Sequence, residues 1–167
     1  MTTLLRARGE RFPHIRLRET DWILPNILSG DAVEGWLTRP MTYLTVLADG
    51  TTTTFCPELA GMKESEAVGF PRCNVLTEDL RTFADRVHAS AAFRDIEAGV
   101  DRCRATCDYF ELCAVGCPSN KFSETGGFAA TETLYCRIRN QYAADAVLDY
   151  IIRSETEGGA ATSPSAS

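Results

Sequence analysis

The amino-acid sequence predicts a small α+β domain. Three observations predict it: a strand–turn–strand pattern in the second quarter of the chain, two amphipathic helical stretches, and a cysteine-rich region between those stretches. A chain of 167 residues has room for one domain. Its 44% hydrophobic and 24% charged residues are ordinary for a globular protein. We therefore expect an N-terminal arm or linker at 1–40, one domain at 41–153 and a disordered tail at 154–167.

The N-terminal arm carries only short patterns. Alternating apolar and basic residues at 15–18 predict a short strand. Ser29 or Asp31 is suited to cap a short helix that ends near Leu37. Pro13, Pro25 and Pro40 interrupt the stretch and disfavour a longer helix or strand there.

Residues 41–56 predict a β-hairpin. Residues 43–47 are rich in β-formers, Asp49 and Gly50 are a turn signal, and residues 51–55 form the return strand. Cys56 follows that strand directly, and Pro57 stops the pairing. The hairpin would hold Cys56 rigidly, as a metal ligand should be held.

Two main helices are predicted beyond the hairpin. The first begins at a Thr77 cap, runs to about Ala98 and is ended by Gly99. The second begins near Cys136, and its apolar residues recur at helical spacing up to the polar tail. Residues 100–135 between them have little periodicity and predict a long loop region. A loop of that length needs an organiser other than a hydrophobic core, and a bound metal would serve.

Seven cysteines are the densest chemical signal in the chain. The chain starts without a secretory signal, so we expect a cytoplasmic protein in which clustered cysteines bind metal rather than form disulfides. A net charge of −6 argues against a nucleic-acid partner, and no apolar run is long enough to cross a membrane. Five of the cysteines follow the pattern C-x3-C-x5-C-x3-C with one more downstream: Cys103, Cys107, Cys113, Cys117 and Cys136.

This spacing favours iron–sulfur clusters, with zinc as the alternative. Structural zinc usually takes paired C-x2-C knuckles, and the sequence contains none. The step from Cys113 to Cys117 and Pro118 is similar to the end of a ferredoxin run, in which the cysteine before proline ligates a different cluster from its neighbours. Sulfur ligands suit both metals.

The cysteine pattern resembles the SPASM domain, the auxiliary-cluster domain of many radical SAM enzymes. The resemblance covers about residues 41–150. Shorter stretches resemble the maturases that cross-link ribosomal peptides, including the cyclophane-forming, glycine-rich-repeat type. These stretches are TFCPEL at 54–59, NV at 74–75, PSNK at 118–121 and TETLYC at 131–136.

The resemblance implies one or two 4Fe-4S clusters. A distal cluster would be held by Cys103, Cys107, Cys113 and Cys136, and a proximal one by Cys56 and Cys117, with Cys73 as the third thiolate. The alternative for these last three is that they are inert buried thiols. The chain departs from the family in having Cys103-x3-Cys107 where C-x2-C is usual, in lacking a cysteine ahead of the Asp-Gly turn, and in placing Cys73 where glycine is common.

No catalytic residue is predicted. The CxxxCxxC loop that holds the SAM-cleaving cluster is missing, and an α/β barrel needs about 250 residues. The first interpretation is an auxiliary protein that serves a separate radical SAM barrel protein, a precursor peptide or both, by electron transfer or substrate docking. The second is a separated or decayed C-terminal part of a peptide maturase. The third is a structural four-cysteine interaction module that binds zinc or iron–sulfur.

Overall fold

The computed structural model describes residues 18–30, 35–62, 69–113 and 115–160. They divide into two compact units. One lies within Val33–Cys136 and holds all seven cysteines, and the other lies within Met1–Ala32 and Arg137–Ser167. No helix among the described residues is both long and apolar enough to cross a membrane.

The cysteine-bearing unit combines a small sheet with short helices, which confirms the α+β class. Its strands are β1 (Leu44–Val46), β2 (Thr51–Thr54) and β3 (Arg72–Asn74), and 3-10 turns occupy Trp36–Thr38 and Pro57–Gly61. Its helices are α2 (Leu80–Ala89), α3 (Ala91–Thr106), α4 (Phe110–Cys113), α5 (Pro118–Thr125) and α6 (Leu134–Cys136).

The sheet is antiparallel in the order β1-β2-β3. The predicted hairpin is present, with Thr45 opposite Thr53. Gly50 has φ +83 in its turn, and a side chain there would collide with Asn74, whose Oδ1 would lie 2.6 Å from the new Cβ. The sequence gives no sign of β3, because three residues are too few to display an alternating pattern.

The first predicted helix is in fact two helices. Ser90 breaks it and caps α3, since its hydroxyl accepts a hydrogen bond from the Phe93 N–H at 3.1 Å. Asp79, rather than Thr77, caps α2. The predicted end at Gly99 is wrong, because Gly99 lies buried inside α3. A Cβ at this position would lie 2.7 Å from the Phe128 carbonyl oxygen, so glycine serves close packing here.

The cysteine-rich region is more helical than predicted. The last turns of α3 together with α4, α5 and α6 occupy much of residues 100–135, which the sequence predicts as loop. The prediction failed because α4 and α6 have only four and three residues, too few to produce a helical period. Among the described residues, the region is a series of short helical turns with cysteines at or near their ends.

An aromatic core stabilises this unit. Phe55, Leu59, Phe83 and Val87 are fully buried within it. Phe128 stacks on Phe122 with ring centroids 5.0 Å apart. Cys56 and Cys73 belong to the same buried cluster, so the core holds both sulfur-bearing residues in place.

The second unit contains α1 (Arg18–Ser29), a π-helical segment (Arg137–Gln141) and α7 (Tyr142–Ala160). The helix α1 packs against α7 and falls where the sequence predicts an arm or linker. It accommodates Pro25 internally, and the Asn26 side-chain amide donates to the Trp22 carbonyl at 2.7 Å in the same turn.

The predictions for the tail and for the N-terminal arm concern this second unit. The helix α7 continues to Ala160, into the tail predicted as disordered from 154. The hydroxyls of Ser154 and Thr156 bond to carbonyls of the preceding turn and so conform to the helix. The strand predicted at 15–18 lies outside the described residues except for Arg18, and the proposed Asp31 cap lies outside them entirely.

Candidate metal centre

The structure brings four of the predicted ligands to neighbouring helix ends. Cys103 lies in the last turn of α3 and is buried, with 8% of its surface exposed. Cys107 ends α3, its N–H bonded to the Cys103 carbonyl at 2.9 Å. Cys113 is the last residue of α4, and Cys136 is the last residue of α6.

These four thiols interact with one another. A hydrogen bond with the Cys136 sulfur raises the pKa of the Cys113 thiol, and burial and the nearby Cys136 and Cys107 add to the effect. Burial raises the pKa of the Cys103 thiol, and the charges of Cys107 and Cys136 act in the same direction. Cys113 therefore lies beside Cys136, and both Cys103 and Cys113 lie near Cys107 and Cys136, although no three of these four described sulfurs lie within 4.8 Å of one another. We call these four cysteines the distal set.

Two capping side chains fix Cys136. The Thr133 hydroxyl accepts a hydrogen bond from the Cys136 N–H at 3.0 Å. The Glu124 carboxylate, from α5, accepts from the N–H groups of Leu134 at 2.5 Å and Tyr135 at 3.1 Å. A carboxylate on a helix N-terminus is stabilising because the exposed N–H groups carry partial positive charge. Sequence reasoning missed both residues, although a threonine just before a helix is a usable cap signal.

A buried lysine also reaches the distal set. Lys121, on α5, is only 5% exposed, and its Nζ donates to the Cys103 Sγ at 3.6 Å. The Cys103 thiol in turn donates to the Thr131 carbonyl at 3.4 Å. Within the described parts of the chain, no carboxylate forms an ion pair with Lys121. The sequence indicated Lys121 only as part of a family-like motif.

Two consecutive residues between Cys113 and Cys117 have left-handed backbone. Val115 has φ +84 and Gly116 has φ +65, so both occupy the left-handed region that ordinary side chains disfavour. Cys113 is hydrogen-bonded with Cys136, whereas Cys117 is the N-cap of α5 and is disulfide-bonded to Cys56. The two cysteines serve different partners despite their short spacing.

Cys56 and Cys117 form a disulfide, with Cα atoms 6.6 Å apart. The sequence predicted them as metal ligands in a reducing compartment. The Glu58 carboxylate lies 4.0 Å from the Cys117 Sγ, and the Ser119 Oγ lies 2.9 Å from it. One donor atom from each of Cys56, Glu58 and Cys117 lies within 4.8 Å of the others, so the reduced group could hold a metal ion. Sequence reasoning assigned Glu58 no such role.

Cys73 lies in the same buried cluster as Cys56, against which Cys117 packs, but outside the group of close donor atoms. It sits on β3 opposite Thr52 and is 7% exposed. Burial raises the pKa of the Cys73 thiol, and the Glu78 charge adds to the effect, so its thiolate is disfavoured. Cys73 is absent from the set of close donor atoms that joins Cys56 and Cys117.

An open cleft of about 560 Å³ lies beside the last turns of α3 and the start of α4, and its lining includes none of the four distal cysteines. The 3-10 turn Trp36–Thr38 and helix α3 contribute to its walls, and so does Phe110, which lies between Cys107 and Cys113 in the chain. Arg104 pairs with Asp101 at 2.6 Å and lies over the Phe110 ring at 5.1 Å. The lining therefore combines aromatic surface with both signs of charge.

The fold and the cysteines define a small α+β protein with a clustered-thiol centre. An uncharacterized protein from Synechocystis sp., sll1766, is 36% identical to it over 137 residues. That match covers 81% of this chain and 34% of the relative, so the chain spans about a third of the length of the curated relative it matches. No family model matches the chain, and no solved structure matches it.

Proposed function

We propose that this chain is an iron–sulfur auxiliary protein of the SPASM type. It acts with a separate radical SAM enzyme in the modification of ribosomally made peptides. The observation that carries the proposal is that four cysteines from three helix ends influence one another: the Cys113 thiol is hydrogen-bonded with Cys136, and the charges of Cys107 and Cys136 act on both Cys103 and Cys113. Four thiolates are the usual ligand set of a 4Fe-4S cluster.

The surroundings of the four thiols fit an anionic metal centre. The pKa values of the Cys103 and Cys113 thiols are raised, and bringing four thiolates together without a cation would be strongly unfavourable. A bound metal removes that repulsion and displaces the thiol protons. The buried ammonium of Lys121 needs a negative partner, and a centre with four thiolates is one.

The cluster, when bound, supplies one-electron transfer. The chain's own residues position it: α3, α4 and α6 fix the sulfurs, and Glu124 and Thr133 fix Cys136. We propose that the neighbouring cleft docks the precursor peptide, because its Phe110 ring and paired charges suit a polypeptide with apolar and polar groups.

The proposal includes a second, proximal metal site. Cys56 and Cys117 are close enough to share a metal once their disulfide is reduced, and Glu58 adjoins them. Cys73, predicted as the third ligand, is better explained as a buried core thiol. Glu58 is the third donor that the geometry favours.

Two other functions use the same residues. The chain could be a separated or decayed C-terminal part of a radical SAM peptide maturase; it matches about a third of the length of its uncharacterized relative. The thiol set could instead bind zinc and act as a structural interaction module, since zinc also takes four thiolates. For either function, as for the auxiliary protein, we propose a cytoplasmic location, where reduced thiols persist.

Anoxic purification followed by iron analysis tests the metal. We expect broad visible absorption that bleaches on reduction and about four irons per chain for the distal cluster. Replacement of Cys136 with alanine should abolish this cluster, while Cys73→Ala, which removes a buried thiol outside the distal set, should retain it. Colourless wild-type protein holding about one zinc per chain would contradict the proposal in favour of the structural module.

The same reconstituted protein tests the auxiliary role. Given SAM and a strong reductant, it should release no 5′-deoxyadenosine by itself, because the chain lacks a CxxxCxxC loop. With a barrel protein that carries such a loop and a precursor peptide, modification should depend on the cluster-loaded chain. Turnover by this chain alone would contradict the auxiliary role.

A further inference from the structure

The feature that the proposed function leaves unexplained is the buried side chain of Lys121. A lysine is almost never this buried without a paired charge. Its Nζ donates to the Cys103 Sγ at 3.6 Å, and within the described residues it has no carboxylate partner. Burying an unpaired ammonium costs several kcal/mol on general grounds, about the scale of a small domain's whole stability.

The ammonium of Lys121 is buried against helix α3. A Cβ on Gly99 would lie 3.0 Å from the Lys121 Nζ, so the charged group lies against the backbone of α3 where that helix has no side chain. Cys103 lies one helical turn further along α3, and the ammonium spans that turn to its sulfur. The glycine thus creates the space through which the ammonium reaches the sulfur.

We propose that Lys121 is a positioning residue that raises the reduction potential of the distal cluster by placing a fixed positive charge against the Cys103 sulfur. The inference rests on the proposed cluster. Reduction adds one electron to the cluster and leaves the four thiolates in place, so the bound centre becomes more negative by one charge. A buried cation stabilises that reduced form more than the oxidised form, because little solvent lies between the charges to screen them.

The experiment is a potentiometric titration of the cluster with dithionite and mediator dyes, in the reconstituted full chain. The test variant is Lys121→Met, which keeps the side-chain length and removes the charge. The matched control is Arg102→Met on α3, an exposed cation next to Cys103 in the chain that donates to the Ala129 carbonyl at 3.0 Å. Each substitution lowers the formal net charge by one from −6.

We expect the cluster in Lys121→Met to have a clearly lower reduction potential than in wild type. The potential in Arg102→Met should stay close to that of wild type. Lys121→Arg, which retains the positive charge, should have a potential much closer to wild type than Lys121→Met has. Wild-type potential in Lys121→Met with a full cluster would overturn the proposal, and so would an equal shift in Arg102→Met. In both outcomes the cluster itself, and so the proposed function, would still stand. A wild-type chain that takes up no cluster would overturn both together.

A Lys121→Gln variant, which keeps a hydrogen-bond donor without the charge, covers the case in which Lys121→Met takes up no cluster. If both neutral variants remain folded by circular dichroism but lose the cluster, and Lys121→Arg keeps it, the charge itself is required and the proposal is supported. If all three variants unfold, Lys121 is a packing residue and the proposal is wrong.

Discussion

Asp79 is the residue that begins helix α2. The Thr82 hydroxyl, which donates to its carboxylate at 2.5 Å, lowers the pKa of Asp79 from the ordinary 3.8, and the backbone N–H groups of Thr82 and Arg81 add to the effect. A carboxyl whose folded-state pKa is depressed stabilises the fold above its unfolded pKa. That contribution is lost as the pH falls from 3.8 through the lower folded-state value.

Asp79→Ala should therefore destabilise the protein at neutral pH, and the difference from wild type should shrink below pH 3.8. Urea unfolding of both proteins across this pH range measures the effect. Asp79→Asn is the control, because its side-chain oxygen still caps the helix but does not titrate. A difference between Asp79→Ala and wild type that persists unchanged at low pH would contradict this account.

Single residues differ in how far the sequence exposes their roles. The cysteines could be selected from spacing, because they recur at short intervals along the chain. Lys121 and Glu58 could not, because their roles depend on burial and on neighbours distant in sequence. The sequence also does not reveal that Phe55, immediately before Cys56, combines a fully buried ring with a left-handed backbone of φ +71.

At the scale of elements, helix α3 contains Gly99, although glycine has a low helix propensity. Gly99→Ala gains about 1 kcal/mol of intrinsic helix preference. It also pushes a methyl group against the Phe128 carbonyl oxygen, 2.7 Å away, and overpacking of this kind typically costs about 1–3 kcal/mol. Because backbone cannot move aside as a flexible side chain can, we expect net destabilisation.

Thermal unfolding of Gly99→Ala should give a midpoint below that of wild type. Gly61→Ala is the matched control, since Gly61 has no atom within 4 Å of the added Cβ and no left-handed backbone. Its midpoint should remain near that of wild type. Equal or greater stability of Gly99→Ala would show that α3 can shift away from Phe128.

The elements were predictable where a local signal set them. The hairpin combines β-forming residues with an Asp-Gly turn, so its position follows from sequence. Strand β3 forms by antiparallel pairing with β2, and its three residues carry no sequence pattern that would predict this pairing. Helix α1 likewise forms around Pro25, where the sequence pattern indicated an interruption.

At the scale of the whole molecule, the Cys56–Cys117 bond closes a sequence separation of 61 residues. In the chain-entropy account, a loop of that length is worth up to about 4 kcal/mol of stability. Cys56→Ser should therefore lower the urea midpoint under oxidising, metal-free conditions. Adding dithiothreitol with a chelator should lower wild type to a similar midpoint.

The reductant is the control for this prediction, because it removes the cross-link without changing the sequence. A wild-type midpoint that does not respond to dithiothreitol would mean that the bond contributes nothing to stability. Repeating the reduction with iron or zinc in place of the chelator tests whether the freed sulfurs and Glu58 bind metal. Metal binding would raise the urea midpoint of the reduced protein.

The separation between Cys56 and Cys117 also has a consequence for biosynthesis. At roughly 5–20 residues per second, a ribosome needs about 3–12 s to make the 61 residues that lie between the emergence of the two sulfurs. Four other cysteines leave the ribosome in that interval, before Cys117 does: Cys73, Cys103, Cys107 and Cys113. A nascent chain in an oxidising compartment would thus meet four incorrect partners before the correct one. Synthesis in a reducing compartment lets the order of folding, rather than the order of emergence, decide which sulfurs meet.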